Sequence, residues 1–136
     1  KDMNIKLWAI ASLVGLVGCA EQQNLADPSA TQVQAAEAAY QDLSARNFEQ
    51  FMQHLDPKLQ AYFQENPRVL KKFASAIPKE HIKSKTLMSK RMQSEAEYKV
   101  SYEIAYPKNL VQYDVSFDRP NGSTQINNIN IQVFGE

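Results

Sequence analysis

The spacing of apolar residues changes along the chain from a helical period to a period of two, and this change constrains the fold most. Residues 97–106 alternate tyrosine, valine and isoleucine with mostly polar residues, and residues 111–118 repeat the alternation after a short Pro-Lys-Asn turn. A period of two places every second side chain on the same face of a β-strand. We therefore predict two antiparallel strands with one buried face and one solvated face.

Two further strands are expected to flank this pair. Residues 84–92 contain lysines and an arginine, which suit a strand at the edge of a sheet. Residues 124–134 follow Asn121-Gly122, a pair that favours a tight hairpin turn because it tolerates positive φ. Ile126 is out of phase with the later isoleucines of this segment, which predicts a bulge near residues 127–128.

Residues 27–78 show helical spacing interrupted by prolines. The first helix can begin at Asp27-Pro28 or at the capping-box pattern Ser29-Ala30-Thr31-Gln32. Pro57 and Pro67 divide the rest into short helices, because proline cannot donate a hydrogen bond within a helical turn. Helices followed by an antiparallel meander predict an α+β domain with the helices packed on one face of the sheet.

The N-terminal segment is an apolar run that ends at the one cysteine of the sequence. Residues 7–18 are apolar except for Ser12, and they follow a short charged segment that begins at Met3, the expected start. This run is too short to span a bilayer, which takes about 20 apolar residues. It has the length of the apolar part of a secretion signal, about 7–15 residues.

The end of this run, Leu16-Val17-Gly18-Cys19, resembles the lipobox of bacterial lipoproteins. The resemblance implies transfer of a diacylglycerol to the Cys19 thiol, cleavage after Gly18 and fatty acylation of the new amino terminus. Because Ala20 rather than aspartate follows, it also implies the outer membrane, facing the periplasm, in a Gram-negative host. The alternative reading is an ordinary buried helix that contains a buried free cysteine.

We therefore expect three parts in the chain. Residues 1–18 would form a lipoprotein signal peptide, residues 19–26 a lipidated tether, and residues 27–136 a folded domain. The order of elements in the last part is similar to the NTF2-like, or cystatin-like, α+β cone. That resemblance implies helices in the concave side of a curved antiparallel sheet of about four strands. It leaves the function open, because this fold hosts both enzymes and binding modules.

The polar residues show no recognisable catalytic or cofactor motif. The sequence has no Gly-rich phosphate loop and no serine nucleophile motif. Neither His54 nor His81 has a second histidine or cysteine at the spacing of metal ligands. His54 near Asp56 would allow a catalytic dyad, but a histidine at a helix C-terminus is also favoured by the helix dipole. We expect a non-catalytic protein with no cofactor and no metal.

Two groups of residues are candidates for binding. Tyr98, Tyr102 and Tyr113 fall on the predicted buried strand faces, where they either line an aromatic pocket or fill the core. A basic surface is predicted from eight residues within 24 positions, opposed only by one acidic residue: Arg68, Lys71, Lys72, Lys79, Lys83, Lys85, Lys90 and Arg91. These residues either form a solvated surface or steer an acidic partner, which could be a protein, anionic lipid or a cell-wall polymer.

Overall charge argues against a nucleic-acid partner, since 15 basic residues balance 15 acidic ones. The first function hypothesis is an envelope-anchored, non-catalytic protein-binding lipoprotein, for example an immunity-type inhibitor of a delivered toxin. The second is a small-molecule-binding or enzymatic domain that uses the aromatic pocket. The third is an accessory lipoprotein of envelope assembly or of a secretion system. An open pocket with convergent polar groups would favour the second hypothesis, and a filled interior the first.

Overall fold

The computed structural model describes residues 24–135, which form four helices followed by four strands. The helices are α1 (Ala30–Ser44), α2 (Phe48–Gln53), α3 (Pro57–Glu65) and α4 (Pro67–Ala76). The strands are β1 (Ser84–Ser94), β2 (Glu97–Ala105), β3 (Asn109–Phe117) and β4 (Asn128–Gly135). The predicted α+β class, with helices packed against a four-stranded antiparallel sheet, is confirmed. The predicted signal peptide and Cys19 lie outside the described residues.

The sheet is a simple meander in the order β1-β2-β3-β4, and every neighbouring pair is antiparallel. It does not close into a barrel, so β1 and β4 are its two edges. The pairing of β2 with β3 runs without interruption, whereas β1 is irregular at two positions along β2. One of these irregularities lies between Leu87 and Ser89, and Met88 is the residue left without a register partner.

Local signals in the sequence account for the starts of the helices. The Ser29 side chain accepts a hydrogen bond from Gln32 N, and the Gln32 side chain accepts one from Ser29 N, so the capping box begins α1. Asp56 caps α3 by accepting from Leu59 N at 2.8 Å. Pro57 and Pro67 occupy the first turns of α3 and α4, where the missing N–H costs nothing.

The hydrophobic core lies between the helices and one face of the sheet, which we call the inner face. The inner face carries the alternating large residues of the two central strands, all buried: Tyr98, Val100, Tyr102, Ile104, Val111, Tyr113, Val115 and Phe117. Helix α1 covers it with the buried residues Ala36, Ala39, Tyr40 and Leu43. The Tyr40 and Tyr113 rings meet with centroids 4.9 Å apart. Small alanines let the helix approach the tyrosine-rich strands closely.

The last strand begins at Asn128 rather than near residue 124, so the expected bulge at residues 127–128 is replaced by a different feature. Ile126 is completely buried and forms a parallel bridge with Leu55 in the helical layer. Asp56 N donates to Ile126 O at 2.8 Å, and Ile126 N donates to His54 O at 2.9 Å. The phase change at Ile126 therefore marks the point where the chain leaves the helices and enters the sheet.

A buried glutamine holds the turn between β3 and β4 against the start of α1. The Gln32 side chain has no solvent exposure, and its amide nitrogen donates to Arg119 O at 2.9 Å and to Ser123 O at 3.0 Å. Its amide oxygen accepts from Asn121 N at 3.1 Å, in addition to the capping bond from Ser29 N. Asn121 has a positive φ of 58°, as the Asn-Gly pattern predicts for this turn.

Candidate binding surfaces on the sheet

The face of the sheet opposite the core, which we call the outer face, carries mostly polar residues along β2 and β3. Ser116 Oγ donates to Glu97 Oε2 at 2.8 Å, and Asn128 Nδ2 donates to the same oxygen at 3.1 Å. Asp114 is 7% exposed, and Lys99 Nζ lies 3.9 Å from its Oδ2 atom. These contacts give one end of the outer face a connected polar surface.

The outer face also exposes three large apolar side chains, Leu110 and Phe134 at its other end and Met88 beside the middle of β2; we call these three residues the outer patch. Their exposed fractions are 36%, 50% and 57%. Leu110 and Phe134 are direct cross-strand partners on β3 and β4. Met88 is the residue of β1 that has no register partner on β2 at the first irregularity. All three line one groove of about 220 Å³ with polar residues that include Glu103 and Gln112. Exposed apolar side chains around a groove with polar residues are typical of an interaction site.

The outer patch was not predicted from the sequence, although a signal for it exists. Leu110 is in phase with Gln112 and Asp114, and Phe134 is in phase with Gln132, so both apolar residues fall on the solvated side of their strands. The patch could have been identified from apolar residues at positions where the period predicts polar ones.

A second cavity, which we call the inner pocket, opens between α1 and the inner face of β2. It has a volume of about 210 Å³ and is lined by residues of α1, of β1 and the connection before it, and of the central strands: Ala36, Glu37, Tyr40, Gln41, Ile82, Lys85, Tyr102, Ile104 and Tyr113. Of the three tyrosines predicted to form a pocket, Tyr102 and Tyr113 line this one. Tyr98 lies elsewhere in the core, and its hydroxyl donates to Ala26 O at 2.6 Å.

The hydroxyl groups around the inner pocket differ in their hydrogen bonding. Tyr113 Oη donates to Ala36 O at 2.8 Å, and the hydroxyls of Tyr40 and Tyr106 are 2.7 Å apart. Tyr102 Oη is buried and has no hydrogen-bond partner among the described residues. Burial, and then the nearby carboxylates, raise the pKa of Tyr102 to about 12. Its hydroxyl is therefore protonated at neutral pH.

An ion pair lies at the mouth of the inner pocket. The Lys85 ammonium group contacts the Glu37 carboxylate, and both side chains are partly exposed. The same ammonium group lies 5.6 Å from the centroid of the Tyr102 ring, within the range of a cation–π interaction. The mouth therefore carries one positive and one negative charge that largely offset each other.

The predicted basic surface is distributed over separate parts of the domain. Arg68, Lys71 and Lys72 lie on α4, which packs near β4, while the last three residues of the set lie on β1, at the opposite edge of the sheet. Three strand spacings, roughly 14 Å, separate those two edges. Lys79 and Lys83 lie between α4 and β1.

Two members of that set already have acidic partners within the domain. Lys85 pairs with Glu37, as described above, and Lys90 pairs with Asp27. Both pairs join β1 to the segment that contains α1. The eight basic residues therefore lie on α4, in the connection after it and on β1, and two of them are paired with acidic residues.

The histidines do not form a dyad with Asp56. His54 Nε2 lies 2.9 Å from Asp42 Oδ2 on α1, whereas the Asp56 carboxylate caps α3. His81 is exposed in the connection before β1. Within residues 24–135 no three His, Cys, Asp or Glu side chains are grouped as a metal ion would require.

Comparison of the chain with protein-family models, with curated proteins and with solved structures found no match. In the part of the chain that the structure describes, no helix has the length and apolar character needed to cross a membrane. Any assignment of function therefore depends on the lipobox pattern and on the surfaces described above.

Proposed function

We propose that this protein is a lipoprotein of the bacterial envelope, anchored through Cys19, whose domain binds another protein without catalysing a reaction. The observation that carries this proposal is the outer patch. Three apolar side chains, on three strands of one sheet, are exposed around one groove on the outer face. Exposing such a surface costs solvation free energy, and burying it against a partner recovers about 25 cal/mol per Å².

The proposed anchor would keep the outer patch close to the membrane. Ala26 and Asp27 are held on the domain by Tyr98 and Lys90, and seven residue steps separate Cys19 from Ala26. A fully extended chain spans at most about 3.6 Å per residue, so the tether would reach roughly 25 Å. Two or more acyl chains anchor a protein stably, whereas one chain is marginal. The domain would therefore act on partners near the same membrane surface.

The chemistry around the outer patch favours a protein partner over a lipid surface. Glu103 lines the groove, together with serine and glutamine side chains, and none of the residues lining it is basic. An anionic bilayer surface attracts basic segments and disfavours a carboxylate at the contact. Exposed apolar side chains beside polar groups are instead typical of a protein–protein interface. The partner we expect has an apolar protrusion surrounded by uncharged polar groups.

The anchor is tested by intact-mass analysis of the full chain extracted from membranes. We expect the mass of a protein that begins at Cys19 and carries fatty acyl groups. Cys19→Ser should remain unprocessed and lose stable membrane attachment. A variant that stays in the membrane fraction with the same mass as the wild type would contradict lipidation at this residue.

Binding through the outer patch is tested by placing a photo-reactive residue at Leu110 of the full chain in intact cells. Gln34, on the exposed side of α1, is the matched position. We expect one protein adduct from position 110 and none from position 34. Identification of the cross-linked peptide should place apolar residues of the partner at the contact. Adducts with lipid alone, or equal adducts from both positions, would contradict protein binding through the outer patch.

A further inference from the structure

We propose that the edge of β1 that faces away from β2 binds an extended, acidic segment of another protein, which would pair with it as a fifth strand of the sheet. This inference goes beyond the proposed function, because it concerns the edge of the sheet rather than the outer patch and does not need the lipid anchor. Met88 belongs to both surfaces. The proposal is carried by the exposure of β1 on both of its faces and by the charges of its side chains.

Strand β1 is the longest and the most exposed strand among the described residues. Ten of its eleven residues are exposed, and Lys90 is partly buried. The other edge strand, β4, has Ile129 and Ile131 buried. In residues 24–135 no strand pairs with β1 on the side away from β2. The backbone N–H and C=O groups that point to that side can therefore pair with an added strand.

The exposed apolar side chains of β1 lie on both faces of the strand. Leu87 is the cross-strand partner of Tyr102, and it is exposed. Met92 is the partner of Tyr98, and it is also exposed. Both tyrosines belong to the inner face, and cross-strand partners share a face, whereas Met88 lines the groove on the outer face. An added strand would cover both sets, because its successive side chains alternate between the two faces.

The charged side chains of β1 determine the chemistry of the expected partner. The strand contains Lys85, Lys90 and Arg91 and no acidic residue. Both lysines pair with carboxylates of the segment that contains α1. Arg91 is exposed, has no ion pair in the described part of the chain, and lies directly opposite Lys99. Like charges at opposite positions are unfavourable, so a carboxylate that approaches Arg91 from the edge would be stabilising.

The same charges argue against a second copy of this chain as the occupant. Two antiparallel copies of β1 would bring their basic side chains together with no acidic residue between them. Lysines on an edge strand deter pairing between like edges in this way. An acidic strand meets no such repulsion, so the edge selects its partner by charge. Residues 89–92, which include Arg91, pair with β2 without interruption and therefore offer a regular edge despite the two irregularities.

The test titrates a short fluorescent peptide of alternating glutamate and valine with the full chain in nanodiscs of zwitterionic lipid. We expect saturable binding, and amide hydrogen exchange should slow in Ser84–Ser94 but not in Asn128–Gly135, the strand at the other edge. A peptide with lysine in place of glutamate should not bind. A peptide with proline in place of valine should not bind either, because it keeps the charge but lacks half of the backbone N–H groups.

Arg91→Glu tests the location of the contact. It should weaken binding of the acidic peptide about tenfold and allow the lysine peptide to bind, because the charge at the edge is reversed. Arg68→Glu makes the same charge change at an exposed position of α4, and this matched control should bind the acidic peptide like the wild type.

Absence of saturable binding of the acidic peptide by the wild type would overturn the proposal. Equal binding of the acidic, lysine and proline peptides, or equal losses for the two arginine variants, would also overturn it. If anionic phosphatidylglycerol vesicles slow the exchange of β1 and the acidic peptide does not, the edge binds a membrane surface and the proposal is wrong. None of these results changes the expected cross-linking from Leu110.

Discussion

The two faces of this sheet are built from the same strands, yet they differ in what buries them. On β2, Val100 and Tyr102 are buried under α1, whereas Lys99 and Glu103, on the outer face, are only partly buried. The inner face gains its burial from the helices, and the outer face gains what burial it has from neighbouring strands. Stability should therefore depend mainly on the inner face, and exposed apolar residues on the outer face should contribute little to it.

The largest difference is expected between two phenylalanines on neighbouring strands. Phe117 is fully buried on the inner face, and Phe134 is 50% exposed on the outer face. Phe117→Ala should lower the free energy of unfolding by about 3–5 kcal/mol through lost burial and a new cavity. Phe134→Ala should lower it by about 0.5 kcal/mol or less. Chemical denaturation of both variants measures the two values, and equal losses would break the distinction between the faces.

A smaller but clear effect is expected for the glutamine that connects α1 to the β3–β4 turn. Gln32→Ala leaves Arg119 O, Ser123 O and Asn121 N without their side-chain partner. The free energy of unfolding of the variant should fall by about 1–3 kcal/mol, depending on how well water hydrates these three backbone groups. Gln34→Ala, at an exposed position of the same helix, is the control and should change stability by less than about 0.5 kcal/mol. A neutral Gln32→Ala variant would show that the turn holds its shape without α1.

The last difference is expected at alkaline pH, and it concerns a tyrosine of the inner face. The pKa of Tyr102 is raised from 10.0 to about 12 by burial on the inner face. Below about pH 10 its hydroxyl is protonated in both states, whereas above that pH the unfolded chain loses the proton first. Stability should therefore fall between about pH 10 and 12, by up to about 1.4 kcal/mol per pH unit from this group. Tyr102→Phe should show a shallower fall than the wild type.

Tyr62→Phe is the control for this titration, because Tyr62 is 47% exposed on α3. Its removal should leave the alkaline loss of stability as steep as in the wild type. Denaturant midpoints measured at several alkaline pH values test both expectations. Parallel curves for the wild type and Tyr102→Phe would mean that Tyr102 ionises as readily in the folded protein as in the unfolded chain.

The inner face could be predicted from the sequence because its apolar residues recur at every second position. Contacts between segments that are distant in the sequence could not be predicted in this way. The alternation in β2 and β3 and the proline-defined helix starts are local signals, and they gave the α+β class. The role of Gln32 depends on partners that lie 87 to 91 residues away, which no local pattern encodes. The basic residues are close in sequence, but only Lys85, Lys90 and Arg91 lie on the sheet, on the edge strand β1, and the others lie on α4 or in the connection that follows it.

The candidate sites could also be predicted only in part, because they depend on contacts between distant segments. Tyr102 and Tyr113 share a strand period, and they do meet at the inner pocket, but Tyr98 has the same period and lies outside it. The position at which α1 crosses the sheet determines which tyrosines line the inner pocket. The spacing of apolar residues in the sequence does not indicate that position. The outer patch joins residues from β1, β3 and β4, so it depends on strand order and on the irregularity at Met88.

The most direct measurement compares two charge substitutions at equally exposed aromatic residues, Phe134 in the outer patch and Tyr62 on α3. Each full-chain variant, Phe134→Asp and Tyr62→Asp, carries the photo-reactive residue at position 110, and the yield of the protein adduct in cells is measured. We expect Phe134→Asp to lower the yield at least tenfold at unchanged protein level, and Tyr62→Asp to leave it near that of the wild type. Equal yields from the two variants would contradict binding through the outer face.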